Sequence, residues 1–204
     1  RALLTSPLNI VLLETIAGQP GALNFTSRGS LFEAFWQRKQ QTVEERRPGT
    51  LFNDVLARIA NTASDNQTLS VPVEILDAGD FTKHAWVLAS EQVIAIEDDR
   101  VSFFHETFFD FTFARQWLSR QQSMVEFLCA QEQELFRRAQ VRQILELLRE
   151  RDPDRFRAEV EAVLRSAEVR FHIKETVIAV LANVSAPTSE DVRLVLRLAK
   201  SEST

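Results

Sequence analysis

The chain has 204 residues, enough for one large domain or two small ones with a sizeable core. Its 45% hydrophobic and 26% charged content is ordinary for a soluble globular protein, and a net charge of −5 gives no bulk electrostatic reason for a nucleic-acid partner. The lone Cys129 excludes an internal disulfide and a cysteine-based zinc finger, and no apolar run is long enough to span a bilayer. The expectation is a cytoplasmic protein with no membrane partner. No signal peptide is visible, because Ser6, Pro7 and Asn9 interrupt the N-terminal apolar run. The chain starts at Arg1 in mid-pattern and reads as a fragment of a longer polypeptide.

Ala2–Ala17 is expected to be a helix, with Ser6 as its cap, Pro7 at the first helical position and Gly18–Gly21 as its stop. No Gly-Lys-Ser/Thr follows those glycines, so they are not a phosphate-binding loop. Ser30 is expected to cap a second helix from Leu31 to about Arg46, with Phe32, Phe35, Trp36 and Val43 on its apolar face. After Pro48-Gly49, Thr50 is read as the cap of a third helix over Leu51–Ala63. Val71–Ala78 is read as a short helix beginning near Pro72, and Asp80 as the cap of Phe81–Ala89. Gln92–Glu97 and Val101–Phe104 alternate as strands around the turn Asp98-Asp99-Arg100, giving a β-hairpin. From Phe104 the apolar positions 104, 108, 111 and 118, with 109, 113 and 117, cover most of a helix circumference. This helix should be buried on nearly all sides, with His105 where the strand turns into it.

Beyond Arg120 only helices are expected. They are Ser123–Arg138, Val141–Arg149, Phe156–Leu164, Ile173–Val184, and a last one with Val192, Val195, Leu196 and Ala199 inward. The fold class is therefore mainly α: a winged helix with a short β-hairpin wing, then stacked helical hairpins of HEAT or armadillo type, an α-solenoid. Residues 48–121 are expected to form the winged helix and 122–204 the superhelical region.

No catalytic set stands out. His105-Glu106 lacks the second histidine of a zinc helix, since position 109 is Phe, and His84 and His172 have no ligand-spaced partners, so no metal is expected. Cys129 reads as an inert buried thiol, and Glu106 and Asp110 as a solvated stripe or partners for arginine. A helix start is a natural anion site, so His105 either reads an anion or fills a core. A winged helix also raises DNA binding with a helical effector domain. Yet Phe81–Ala89 offers only Lys83 and His84, and the wing tip is net acidic, so nucleic acid is the minor reading. From Glu132 to Arg170 nine arginines balance nine acids, which reads as a solvated, paired face. A protein ligand on the concave side of these helices is a further expectation.

Three segments carry a family resemblance: Leu4-Thr-Ser-Pro7-Leu-Asn-Ile-Val-Leu-Leu13, Leu31-Phe-Glu-Ala-Phe-Trp-Gln-Arg-Lys39 and Val101-Ser-Phe-Phe-His105-Glu-Thr-Phe-Phe-Asp110. In this order they resemble the downstream half of bacterial STAND-class signalling ATPases of the NACHT and NB-ARC type. There a nucleotide-binding domain is followed by a small helical domain, a winged helix and a superhelical sensor, which implies that residues 1–47 are the end of the small helical domain. The resemblance implies that Pro7 packs near the adenine of bound nucleotide and that His105 contacts the β-phosphate of ADP, holding the resting state. It implies ATP or ADP with Mg in the parent protein, and that protein's own nucleotide-binding domain as partner. The Walker motifs are absent from these residues, so the chain alone is expected to be non-catalytic, with half of a nucleotide site.

Overall fold

The computed structural model describes residues 7–17, 25 and 27–201, and among them the chain is mainly α-helical with one small antiparallel sheet. It divides into two compact units, residues 1–113 and 114–204. In the first, α1 (Pro7–Ile16) packs Leu12 and Ile16 inward, and α2 (Arg28–Arg46) lies against it. Pro7 is the first helical residue, as its fixed φ favours, while the expected cap Ser6 and stop Gly18–Gly21 lie outside the described residues. Helix α2 starts one turn earlier than its sequence suggests. Ser27 is the cap and Ser30 its reciprocal partner at the third helical position, so the two serines satisfy two otherwise free N–H groups.

Helix α3 (Phe52–Asp65) buries Val55, Leu56, Ile59, Ala60 and Ala63 on one stripe. Thr50 does not cap it; its hydroxyl donates back to the Arg47 carbonyl at 2.7 Å. The expected short helix at Val71–Ala78 is instead strand β1 (Ser70–Pro72) followed by one 3₁₀ turn, Val73–Leu76. Pro72 ends β1 at the edge of the sheet, where a residue without an N–H is tolerated. Helix α4 (Phe81–Ser90), β2 (Ile94–Glu97), β3 (Arg100–Phe103) and α5 (Glu106–Trp117) complete the series. The sheet order is β1-β3-β2, with Val71 opposite Val101 and Ile96 opposite that same valine on the other side. Asp98 and Asp99 both take positive φ, 49° and 57°, the two-residue turn that matches strand twist.

The core of this unit is aromatic. The Phe108 ring lies within 5.0–6.2 Å of those of Phe32, Phe35, Trp36, Phe103, Phe104 and Phe111. Buried α5 residues 108, 109, 111, 112, 113, 114 and 117 surround the helix axis, as the spacing of its phenylalanines predicts.

In the second unit, Ser123 and Glu126 box the start of α6 (Met124–Cys129). The single helix expected over Ser123–Arg138 is broken at 130–136. There Gln133 donates to the Glu168 carbonyl and accepts the Arg170 N–H, which fixes the backbone in a loop. Helix α7 (Arg137–Arg151) then absorbs the helix expected at Val141. Helix α8 (Pro153–Arg165) follows directly, with Asp152 as cap and Pro153 opening it, and α9 (Phe171–Ala182) and α10 (Ser189–Ser201) complete the chain. Helix α7 packs on α8 and α9, and α8 on α6, α9 and α10. Arg155 ties the start of the unit together: its guanidinium lies 4.6 Å from the Trp117 ring and donates to the carbonyls of Leu118, Arg120 and Gln122. The expected inner face of α10 is inverted. Val192, Val195 and Leu196 are exposed, and Asp191 and Leu194 are buried. No helix among the described residues is long and apolar enough to cross a membrane.

Candidate functional site

His105 immediately precedes α5 and is half-buried. Its carbonyl accepts the N–H groups of Phe108 and Phe109 at 3.0 and 3.1 Å, so it closes the first turn. Its ring performs the task usually given to Ser, Asp or Asn: Nδ1 accepts the Thr107 N–H at 3.1 Å. An N–H donor on Nδ1 requires a lone pair there, so in the neutral ring the proton is assigned to Nε2. The imidazole is therefore oriented and its tautomer set by the backbone. Among the described residues no hydrogen bond engages Nε2. The backbone beneath is firmly held, since Phe104 N–H bonds the Val93 carbonyl and the Phe104 ring packs 5.0 Å from Phe108 and 5.3 Å from Phe35. His105 is thus an N–H donor on a rigid support at the positive end of a buried helix.

Pro7 is exposed at the start of α1. It and His105 belong to the same unit, linked through α1 on α2 and the α2 aromatics on α5, but no hydrogen bond or ring contact joins them among the described residues. An open cleft of about 560 Å³ lies between the end of α2 and the start of α3, lined by Gln37, Gln41, Glu44, Phe52 and Asp54 among others; His105 and Pro7 do not line it. His84 accepts the Leu51 N–H on Nδ1 at 3.4 Å, and His172 stands on α9 in the other unit. Among the described residues no cluster of three or more His, Cys, Asp or Glu is placed to hold a metal ion.

Two expectations need correction. Cys129 is exposed at the end of α6, not buried, with Sγ 3.8 Å from Glu168 Oε2. Partial burial and the Glu168 carboxylate push its thiol up, so it stays protonated at neutral pH and is a poor nucleophile. The charges of 132–170 do pair at helical spacing, Arg155 with Glu159, Arg157 with Asp154 and Arg165 with Glu161, but they are not all solvated. Arg137 is 2% exposed beneath the Phe127 ring, and Arg149 and Arg157 converge on Asp191, itself 2% exposed. Of the two basic residues that Phe81–Ala89 offers, Lys83 pairs with Asp80 and His84 accepts the Leu51 N–H. Trp86, more than half exposed on α4, escapes sequence reasoning; its signal was a tryptophan one turn beyond Lys83 on the polar side of a short helix.

The chain matches no family model, no curated protein and no solved structure.

Proposed function

We propose that this chain is the regulatory and sensor part of a nucleotide-switched STAND ATPase, non-catalytic by itself, whose His105 latches the ADP-bound resting state. The observation that carries the reading is the His105 ring: its Nδ1 accepts the Thr107 N–H, which leaves Nε2–H as the donor for a ligand. A phosphate oxygen accepts such a donor, and the adjoining helix start favours negative charge. The element order α3, β1, 3₁₀ turn, α4, β2, β3, with the first strand beside the third, supports a winged helix around it. Short links between α7, α8 and α9, and their mutual packing, support stacked helical hairpins as the sensor.

The residues fit half of a nucleotide site. Pro7 offers an exposed apolar ring for a base, and His105 a donor for a phosphate. Bound ADP, with Mg held by the parent's nucleotide-binding domain, would supply the adenine and the β-phosphate oxygen that these two residues meet. His105 orients through Thr107, and the Phe104–Phe108 packing keeps its position fixed while the unit closes or opens as a body. Nucleotide exchange and opening would then release the helical region to a protein ligand.

The test is release of fluorescent ADP from the protein that carries this chain after its nucleotide-binding domain. A hydrogen bond to a charged group contributes about 1.5–3 kcal/mol, so His105→Ala should speed release by roughly ten-fold or more and raise basal signalling. Unchanged release with unchanged basal output refutes the proposal.

A further inference from the structure

Helix α4 leaves one large apolar side chain outside the core. Trp86 is 57% exposed, whereas Trp36 and Trp117 are 1% and 0% exposed. Helical spacing places Thr82 and Lys83 one turn before Trp86 and beside it on the same surface. Each holds a carboxylate there. Thr82 Oγ1 donates to Asp77 Oδ1 at 3.0 Å, and the Lys83 ammonium pairs with Asp80 Oδ2. Gly79 and Asp80, at φ 94° and 59°, turn the backbone so that the two aspartates stand at the start of the helix.

The segment that carries this face is acidic in sequence. Residues 70–104 hold seven acids and two bases, an excess of five negative charges, while the rest of the chain has 22 of each. The whole net charge of the protein therefore belongs to the segment that carries Trp86. Its two bases are already engaged, Lys83 with Asp80 and Arg100 with the Ser70 hydroxyl at 2.9 Å. Asp80 is paired with Lys83, Asp77 accepts the Thr82 hydroxyl and Glu91 pairs with Arg46 of α2, but the segment stays net acidic, which disfavours a phosphate backbone as the occupant.

We propose that the Trp86 face of α4, with Asp77 and Asp80, is a docking site for an arginine-bearing segment of a partner protein. A guanidinium stacks on the indole and its N–H groups reach the carboxylates, an arrangement that a tryptophan anchor and a charge-assisted hydrogen bond both favour. The Lys83 ammonium competes for Asp80 until the arginine displaces it. This reading is independent of the nucleotide latch at His105.

The test uses the full chain. With Trp36 and Trp117 buried, surface quenching of fluorescence reports Trp86. At low salt, caesium should quench more strongly than iodide, and high salt should erase the difference. A fluorescein-labelled, end-blocked Gly-Arg repeat peptide should bind saturably by anisotropy. Trp86→Ala should weaken it about two- to five-fold, the cation–π contribution of an exposed site. Asp77→Asn with Asp80→Asn should weaken it further, and Lys83→Ala should strengthen it; asparagine is well tolerated at the left-handed position 80. All four positions lie outside the core, so circular dichroism should match the parent chain. Absence of saturable peptide binding overturns the proposal. So does equal affinity in Trp86→Ala, equal binding of a Gly-Glu peptide, or tighter binding of a short DNA duplex than of the Gly-Arg peptide.

Discussion

Replacing Asp191 by alanine should detach α10. Asp191 is 2% exposed and accepts four hydrogen bonds: two from Arg149 at 2.6 and 3.1 Å, one from Arg157 at 3.3 Å, and the Thr188 N–H at 2.8 Å. Arg149 comes from α7 and Arg157 from α8, so this one carboxylate fastens the last helix to two others. Its apolar support is thin, since Leu194 is buried but Val192, Val195 and Leu196 are not. Removing one partner of a buried ion pair costs about 3–5 kcal/mol. The guanidiniums here are 20% and 16% exposed and Arg157 keeps Asp154, so water and the remaining partner reduce the loss to about 2–4 kcal/mol. For a chain of this length that corresponds to a fall in Tm of roughly 5–15 °C if unfolding is cooperative. If α10 opens locally, the loss appears as faster amide exchange over 189–201. Thermal melting by circular dichroism and exchange by mass spectrometry measure the two. A Tm within about 1 °C of the parent together with unchanged exchange over α10 would refute the reasoning.

The same carboxylate gives a pH dependence. Burial pushes Asp191 up, but the Thr188 N–H and hydroxyl and the Arg149 and Arg157 guanidiniums more than offset it, holding it below the usual carboxylate value. Its folded pKa is thus lower than its unfolded one. The stability it contributes is present above the unfolded value, near pH 4, and is lost as pH falls through the folded value. Acid titration of Tm should be steeper in the parent chain than in Asp191→Asn; parallel curves would count against this. Gly79→Ala should cost about 1–2 kcal/mol in urea denaturation, because φ there is 94° and an added Cβ would stand 2.9 Å from the Phe81 ring. An unaltered midpoint would show that the turn tolerates a side chain.

How far the sequence disclosed this fold depends on how local each determinant is. The all-round burial of α5 was legible because its phenylalanines fall on every side of a 3.6-residue helix. The hairpin was legible because alternation and an Asp-Asp turn mark it. Strand β1 was not, because three residues carry too little pattern and Pro72 resembles a helix start. The break between α6 and α7 lies in Gln-Glu-Gln-Glu, good helix formers all, and is imposed by Gln133 bonding backbone 35 and 37 residues away. In α10 the period was right and the face wrong, because two distant arginines recruit Asp191 inward. Of the candidate site, the place of His105 at a helix start was readable, but the bond from Thr107 N–H that sets its tautomer was not.

The most direct measurement of the proposed latch is a long-range ¹H–¹⁵N spectrum of the histidines, recorded with and without ADP on a chain that includes the nucleotide-binding domain the proposal requires. The account predicts that His105 carries its proton on Nε2 in both states, and that ADP shifts the His105 Nε2 signals but not those of His84 or His172. His105 signals that ADP leaves unmoved, or a proton on Nδ1, would contradict it.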